Sequence, residues 1–419
     1  MGGQPVRSPL DSPRRIGNGS HRNLFTPSPK ADREPRVNQT TAAPAAPGLR
    51  IQADGDSAPP YSIEASPGFA AWLVEHDVTL AVTTYQIGKV FLVGAEDAGR
   101  LNVAERTFDR CLGVAPAGPN GLVLAGRNAI YRFTNVVPRG HAFEGHDAVY
   151  VPRAAWYTGD VFAHDVGVAP TGRPIFINTR FSCLAAVDEA SGFRPVWHPP
   201  FVSALTPEDR CHLNGLALDE AGRPRYATAA AESDVAGGWR GERRVGNGVV
   251  LDIAANAVIC RGLTMPHSPR LHEGRLYVLN AGTGELGLVE PAEARFHPLA
   301  FLPGFARGLA LHRGFALVGL SLPRQNQAFS GLPLDDRLRA EGTEPQCAVV
   351  LVDLAAGRVL HWLRLGGVVR ELYDIALLPG ARRPMLVGFA QGQINRLISR
   401  GPSMTLAELM AGDGRGGVA

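Results

Sequence analysis

The sequence predicts an all-β fold, a β-propeller of six or seven blades behind a disordered N-terminal tail, and three observations carry that expectation. First, a motif of one grammar recurs. Asp209-Arg210-Cys211-His212-Leu213-Asn214-Gly215-Leu216 states it most fully, and Arg110-Cys111-Leu112-Gly113-Val114 and His164-Asp165-Val166-Gly167-Val168 superpose on it at the glycine. Looser copies begin at Met265, Ala306 and Leu372. Second, each copy is followed by short runs of Val, Leu and Ile bounded by glycine-containing turns, the pattern of strands in tight succession. Third, the copies return at intervals of roughly 40 to 67 residues, as blades in a radial array do.

Taken in order, residues 1–60 are rich in Pro, Ser, Arg, Asn and Ala with almost no apolar periodicity, for example Ser8-Pro9-Leu10-Asp11-Ser12-Pro13. Such a segment buries too little surface to offset its ordering entropy, which predicts a disordered tail. The propeller is expected over residues 61–400 and a flexible C-terminal tail over 401–419. Ser66-Pro67-Gly68-Phe69-Ala70-Ala71-Trp72-Leu73 reads as a short helix with Ser66 as N-cap, Pro67 in the first helical position, and Phe69, Trp72 and Leu73 on one apolar face. Thr79–Tyr85, Lys89–Val93 and Arg100–Ala104 read as three strands that lack the opening strand of the later repeats.

The repeats proper then continue through Gly121–Ala125 and Ala129–Phe133, Pro174–Thr179 and Cys183–Val187, and Arg225–Thr228 and Gly248–Asp252. Arg275–Asn280 with Leu286–Val289 follows, then Phe315–Gly319 with Ala348–Val352 around a polar insertion near Leu322–Gln346. The last unit is read as Leu372–Leu377 completed by Pro384–Gly388 and Gln393–Leu397, with the ring closed by pairing of the two chain ends.

A net charge of +3 gives no reason to expect nucleic acid, and no apolar run approaches the length of a membrane span. Nearly all the positive charge is arginine, since Lys30 and Lys89 are the only lysines. The five cysteines, Cys111, Cys183, Cys211, Cys260 and Cys347, form no Cys-x-x-Cys pair, and their odd number argues against a disulfide framework. Free thiols and no segment of signal-peptide length make the cytoplasm the expected compartment.

In a propeller the first strand of each blade lines the central channel, so equivalent repeat positions converge at one mouth. That collects His164, His212, His267, Arg110, Arg180, Arg270, Arg307, Asn214 and Asp374, with Asp165 and Glu371 within reach. Three imidazoles on neighbouring blades predict a divalent metal held by His164, His212 and His267, with Asp374, Glu371 or Asp165 completing the shell or acting as base. The arginines Arg110, Arg180, Arg270 and Arg307, with Arg240 and Arg324 as further candidates, suit an anionic substrate, with Asn214 beside them. The expected ligand is a small anionic or sugar-derived molecule under metal-assisted chemistry. The alternative is a non-catalytic propeller that binds a peptide or protein partner on the same mouth. Cys211 beside His212 raises an activated thiol, although strand alternation places it on the opposite face. Ser268 lacks the surroundings of a nucleophile elbow, and Gly282-Thr283-Gly284 reads as a hairpin turn.

Several motifs carry a resemblance. Ser66-Pro67-Gly68-Phe69, Thr83-Thr84-Tyr85-Gln86, Gly159–Asp165, Asn178–Leu184, Arg210–Gly215, Met265–Arg270, Gly282–Gly287, Pro303–Leu309 and Glu371–Asp374 resemble, in order, a bacterial family catalogued as TIGR03032, which overlaps a domain of unknown function called DUF4915. The likeness spans about Ser66 to Arg400 and implies a propeller-like body without implying an activity. More distantly, His212–Gly222 is similar to the Asn-Gly strand of gluconolactonase-type propellers, which open sugar lactones with a divalent metal. Those sites use Glu, Asn and Asp ligands where this mouth carries His and Arg.

Overall fold

The computed structural model describes residues 60–240, 245–323, 331–389 and 392–411. The predicted tail over residues 1–60 lies outside the described residues except for Pro60, as do Arg324 and residues 412–419.

Six sheets form the body. In chain order the strands are β1 (Ile63–Ala65), β2 (Val78–Thr84), β3 (Lys89–Asp97), β4 (Arg100–Thr107), β5 (Val114–Pro116), β6 (Gly121–Ala125), β7 (Ala129–Asn135) and β8 (Ala148–Tyr157). Then come β9 (Ala163–Val168), β10 (Pro174–Asn178), β11 (Cys183–Asp188), β12 (Gly192–Trp197), β13 (Leu213–Leu218), β14 (Pro224–Ala229), β15 (Gly248–Asp252) and β16 (Ala257–Leu263). The remainder are β17 (Pro266–His272), β18 (Arg275–Asn280), β19 (Glu285–Glu290), β20 (Arg295–Phe301), β21 (Phe305–His312), β22 (Phe315–Ser321), β23 (Ala348–Asp353), β24 (Arg358–Leu365), β25 (Leu372–Pro379) and β26 (Pro384–Leu386). Three sheets are simple meanders, β9 to β12, β13 to β16 and β17 to β20. The innermost strands β5, β9, β13, β17, β21 and β25 neighbour one another in a closed ring. The fold is therefore a six-bladed propeller, and each inner strand is one of the six motif copies.

Closure corrects the reading of the last unit. β25 is not completed by residues 384–397. It pairs antiparallel with β2, Leu80 opposite Leu377 and Val82 opposite Ile375, so the three early strands that lacked an opening strand receive it from the far end of the chain. β26 instead runs parallel to β8 on the outer edge of the second blade, and β1 covers the outer edge of the sixth. Both caps occupy strand edges that would otherwise be open. The polar insertion contains α2 (Pro333–Ala340), which buries Leu334 and Leu338.

Helix α1 (Phe69–Glu75) forms as expected and buries Phe69, Trp72 and Leu73. Its cap differs from the expectation: the N-cap is Gly68 at φ 92°, and the Ser66 hydroxyl accepts the backbone N–H of Trp362 on β24 at 3.0 Å instead. A β-carbon on Gly68 would meet the His361 ring, which explains a residue without one at this turn. Between blades the core mixes Val, Leu and Ile with fully buried Phe91, Phe133 and Phe176, and all five cysteines are buried and free.

Candidate functional site at the channel mouth

Ahead of four of the six inner strands, β5, β9, β13 and β17, the backbone takes left-handed turns that few side chains adopt. Arg110, Phe162, Asp209, His212 and Met265 all have φ between 48° and 57°. These turns aim carbonyls at side chains two residues on. The Phe162 carbonyl accepts from His164 Nδ1 at 3.0 Å, and the Met265 carbonyl accepts from His267 Nδ1 at 2.8 Å, the same device in the third and fifth blades. His212 is held differently, with Nδ1 3.2 Å from both oxygens of Asp209. Asp209 is fixed in turn by Trp239 Nε1–H at 2.8 Å and by Arg240 at 3.3 Å, and the Trp239 ring stacks on His212 at 4.0 Å.

These groups wall a cavity of about 510 Å³. His164 and His212 lie with ring centroids 4.7 Å apart, edge to face, and His267 lines the same space. The cationic wall comes from Arg180, Arg240 and Arg307. Arg307 sits over the Tyr373 ring at 4.7 Å, and Arg180 over that of Phe162 at 5.1 Å. Burial first, then the nearness of His212, Arg307 and His267, holds His164 well below the usual imidazole range, so its ring is neutral. Burial likewise pushes the Tyr373 hydroxyl well above the ordinary phenol range, and no described residue bonds its Oη.

The sequence-predicted residues divide into two groups. His164, His212, His267, Arg180 and Arg307 line the cavity. Asp165, Arg270, Asp374 and Asn214 are not among its lining residues. Arg270 reaches inside the ring of inner strands, 2.8 Å from Asp165 and 3.2 Å from Asp374, and also donates to the carbonyls of Leu216 and Leu309. The two carboxylates accept backbone N–H groups as well, Asp165 from Val166 and Leu216, Asp374 from Val114 and Ile375. All three side chains are occupied in joining blades and lie apart from the cavity lining where repeat equivalence had placed them. The cause is alternation: Asp165 follows His164 and Asp374 follows Tyr373, so neighbouring side chains on one strand face different ways.

Asn214 accepts a hydrogen bond from Thr228 at 2.7 Å within its own blade. Arg110 pairs with Asp160 at 3.0 Å and lines a neighbouring cavity of about 350 Å³ that shares Tyr85. Glu371 is buried beside Arg307 and Phe305. Cys211 is fully buried with its thiol pushed up to about 12, which removes the activated-thiol reading. The Ser268 hydroxyl accepts the Gly308 N–H at 3.0 Å. Among the described residues no group of three or more His, Cys, Asp or Glu is placed to hold a metal ion. Sequence reasoning missed Tyr85, Phe162, Asp209 and Tyr373. Asp209 was legible as the acid three residues before His212 in the same motif; the aromatics carried no signal beyond their place next to motif residues.

No curated protein matches the chain in sequence. Among solved structures, it is similar to a chain from the crystal structure of a nidogen/laminin complex, at TM-score 0.47 and 10% identity over 72% of this chain and 99% of that one. It is also similar to a protein of unknown function from Bacteroides caccae, at TM-score 0.34 and 11% identity over the same 72% and 99%. Among protein families, the model described as a domain of unknown function, DUF4915, matches residues 67–387, and the chain belongs to that family.

Proposed function

We propose that the channel mouth binds a small anionic molecule and that His212, backed by Asp209, serves there as the proton acceptor. The observation that carries this reading is the meeting, in one 510 Å³ cavity, of three arginines with imidazoles whose Nδ1 atoms are tied down. A carboxylate on Nδ1 fixes the tautomer and orients the imidazole so that Nε2 presents its lone pair, an arrangement suited to a histidine that takes a proton. Guanidiniums supply planar paired donors suited to a carboxylate or phosphate. The same Nε2 atoms of His164, His212 and His267 are where a divalent metal would bind, but the described residues offer no complete ligand group, so the anion pocket and its base carry the proposal.

Calorimetric titration of the purified chain with small carboxylates and phosphates, beside elemental analysis, tests it. Binding near one ligand per chain, lost in Arg307→Gln and retained after chelation, supports the proposal. Tight capture of peptides with no response to any small anion would overturn it in favour of the partner-binding propeller. About one bound metal per chain, lost in His212→Ala, would replace the metal-free base with the metal-assisted form.

A further inference from the structure

The donor and acceptor pattern of the cavity narrows the ligand further, on the reading that this mouth binds an anion. One wall accepts hydrogen bonds. Thr179 Oγ1 donates to the Leu213 carbonyl at 2.5 Å, so at its 2.8 Å contact with His164 Nδ1 it can only accept. His164 therefore carries its proton on Nδ1, donated to Thr179 and to the Phe162 carbonyl, and its neutral ring presents a lone pair on Nε2. His212 reaches the same tautomer by a different route, since Nδ1 faces the Asp209 carboxylate, which only accepts. No described residue bonds Nε2 of either ring, and the two rings are neighbours at 4.7 Å.

The other wall donates. Arg180 and Arg307 are donors without acceptor capacity, and Tyr373, 2% exposed, has a protonated Oη with no partner among the described residues. A plain alkyl carboxylate would satisfy the donating wall and press hydrocarbon against two imidazole lone pairs. A neutral polyol would satisfy the imidazoles and bring no charge to the guanidiniums. A polar group left unmatched on burial loses its water without gaining a partner, which is enough to separate such ligands.

We infer that the site takes an oxyanion that also carries hydroxyl groups: its hydroxyls donate to Nε2 of His164 and His212, and its carboxylate or phosphate accepts from Tyr373 Oη and the arginine wall. The matched six-carbon probes gluconate, hexanoate and sorbitol, with glucose 6-phosphate as the phosphate arm, test this by calorimetry on the full chain. Gluconate or glucose 6-phosphate is expected to bind at least about tenfold more tightly than hexanoate and sorbitol, and whichever of the two binds identifies the anion. Tyr373→Phe, which removes one unpartnered hydroxyl, should weaken that binding about three- to tenfold. His164→Phe should erase the advantage over hexanoate. Hexanoate binding as tightly as gluconate would overturn the hydroxyl requirement and leave the anion reading standing. Sorbitol equal to gluconate, or silence from all four probes, would overturn both.

Discussion

Two polar regions share the inner strands and differ in what their side chains face. In the channel interior, Arg270 is flanked by Asp165 and Asp374, and every one of these groups also meets backbone partners from adjoining blades. At the mouth, one residue earlier on two of the same strands, His164 and Tyr373 face a cavity, and the buried Tyr373 Oη has no partner among the described residues. A charge with all its partners in place holds a fold together, while a buried polar atom that no described residue meets can still take a partner. Residue type does not separate the two regions, since both contain arginine and ionisable partners. The facing of the strand does.

Breaking the interior should have the largest effect. Arg270→Ala leaves two buried carboxylates together without their cation, and removing one partner of a buried ion pair costs about 3–5 kcal/mol; chemical denaturation should show a loss of that order, or no soluble protein. Asp374→Asn leaves a one-to-one pair and should lose much less. Equal losses in the two would mean that Arg270 acts through its carbonyl contacts alone.

Close packing around this cluster is the next lever. A β-carbon on Gly113 would sit 2.9 Å from the Asp165 Cα, and one on Gly308, already at φ 81°, 2.9 Å from the Asp374 Cα. Both neighbours are backbone and cannot swing aside, so Gly113→Ala and Gly308→Ala should each cost about 1–3 kcal/mol by overpacking. A midpoint matching the wild type in either would show that the inner ring is looser than drawn.

The two regions should also respond to pH with opposite sign. His164 is held below its ordinary value of 6.5, so its contribution is present above about pH 6.5 and is lost as pH falls through the depressed value. The Asp374 carboxyl is raised from 3.8, by burial against the opposing pull of Arg270 and with a push from Asp165. Its contribution is present below about pH 3.8 and is lost as pH climbs through the raised value. Melting temperature against pH should therefore flatten on the acid side in His164→Gln and on the alkaline side in Asp374→Asn. Identical profiles in both variants and wild type would refute the assignment.

The smallest stability effects belong to the mouth. Trp239→Phe removes the Nε1–H bond to Asp209 and should cost about 1 kcal/mol. Tyr373→Phe deletes a hydroxyl without a described partner and should leave the midpoint within about 0.5 kcal/mol of wild type. A larger loss in Tyr373→Phe would mean that the hydroxyl serves the fold, which would erase the contrast between the regions.

Much of this was legible without coordinates. The six motif copies are the six inner strands, the three early strands were recognisably short of a partner, and His164 and His212 were placed at one mouth by repeat equivalence, with His267 beside them once the shorter loop of its repeat is allowed for. The differences in placement share a cause. Repeat alignment on glycine gives the blade and the approximate level, but not the side of the strand, so Asp165, Arg270 and Asp374 were grouped with side chains that face elsewhere. Nor does local pattern say which strand completes β25: residues 384–397 are closer in sequence than Val78–Thr84, and the closing of the ring selects the distant partner.

The sequence by itself determined the propeller class, because hydrophobic alternation and turn residues are local and repeat from blade to blade. It left six or seven blades open until the pairing of β25 with β2 set six. It also carried the expectation that Cys211 faces away from His212, since strand alternation puts neighbouring side chains on opposite faces. Only the tertiary structure decided which charges are satisfied and which face the cavity. That outcome depends on partners contributed by other blades, such as Leu216 N–H for Asp165, Val114 N–H for Asp374 and Leu213 C=O for Thr179. No stretch of one blade contains that information, because the groups meet only when the ring is closed.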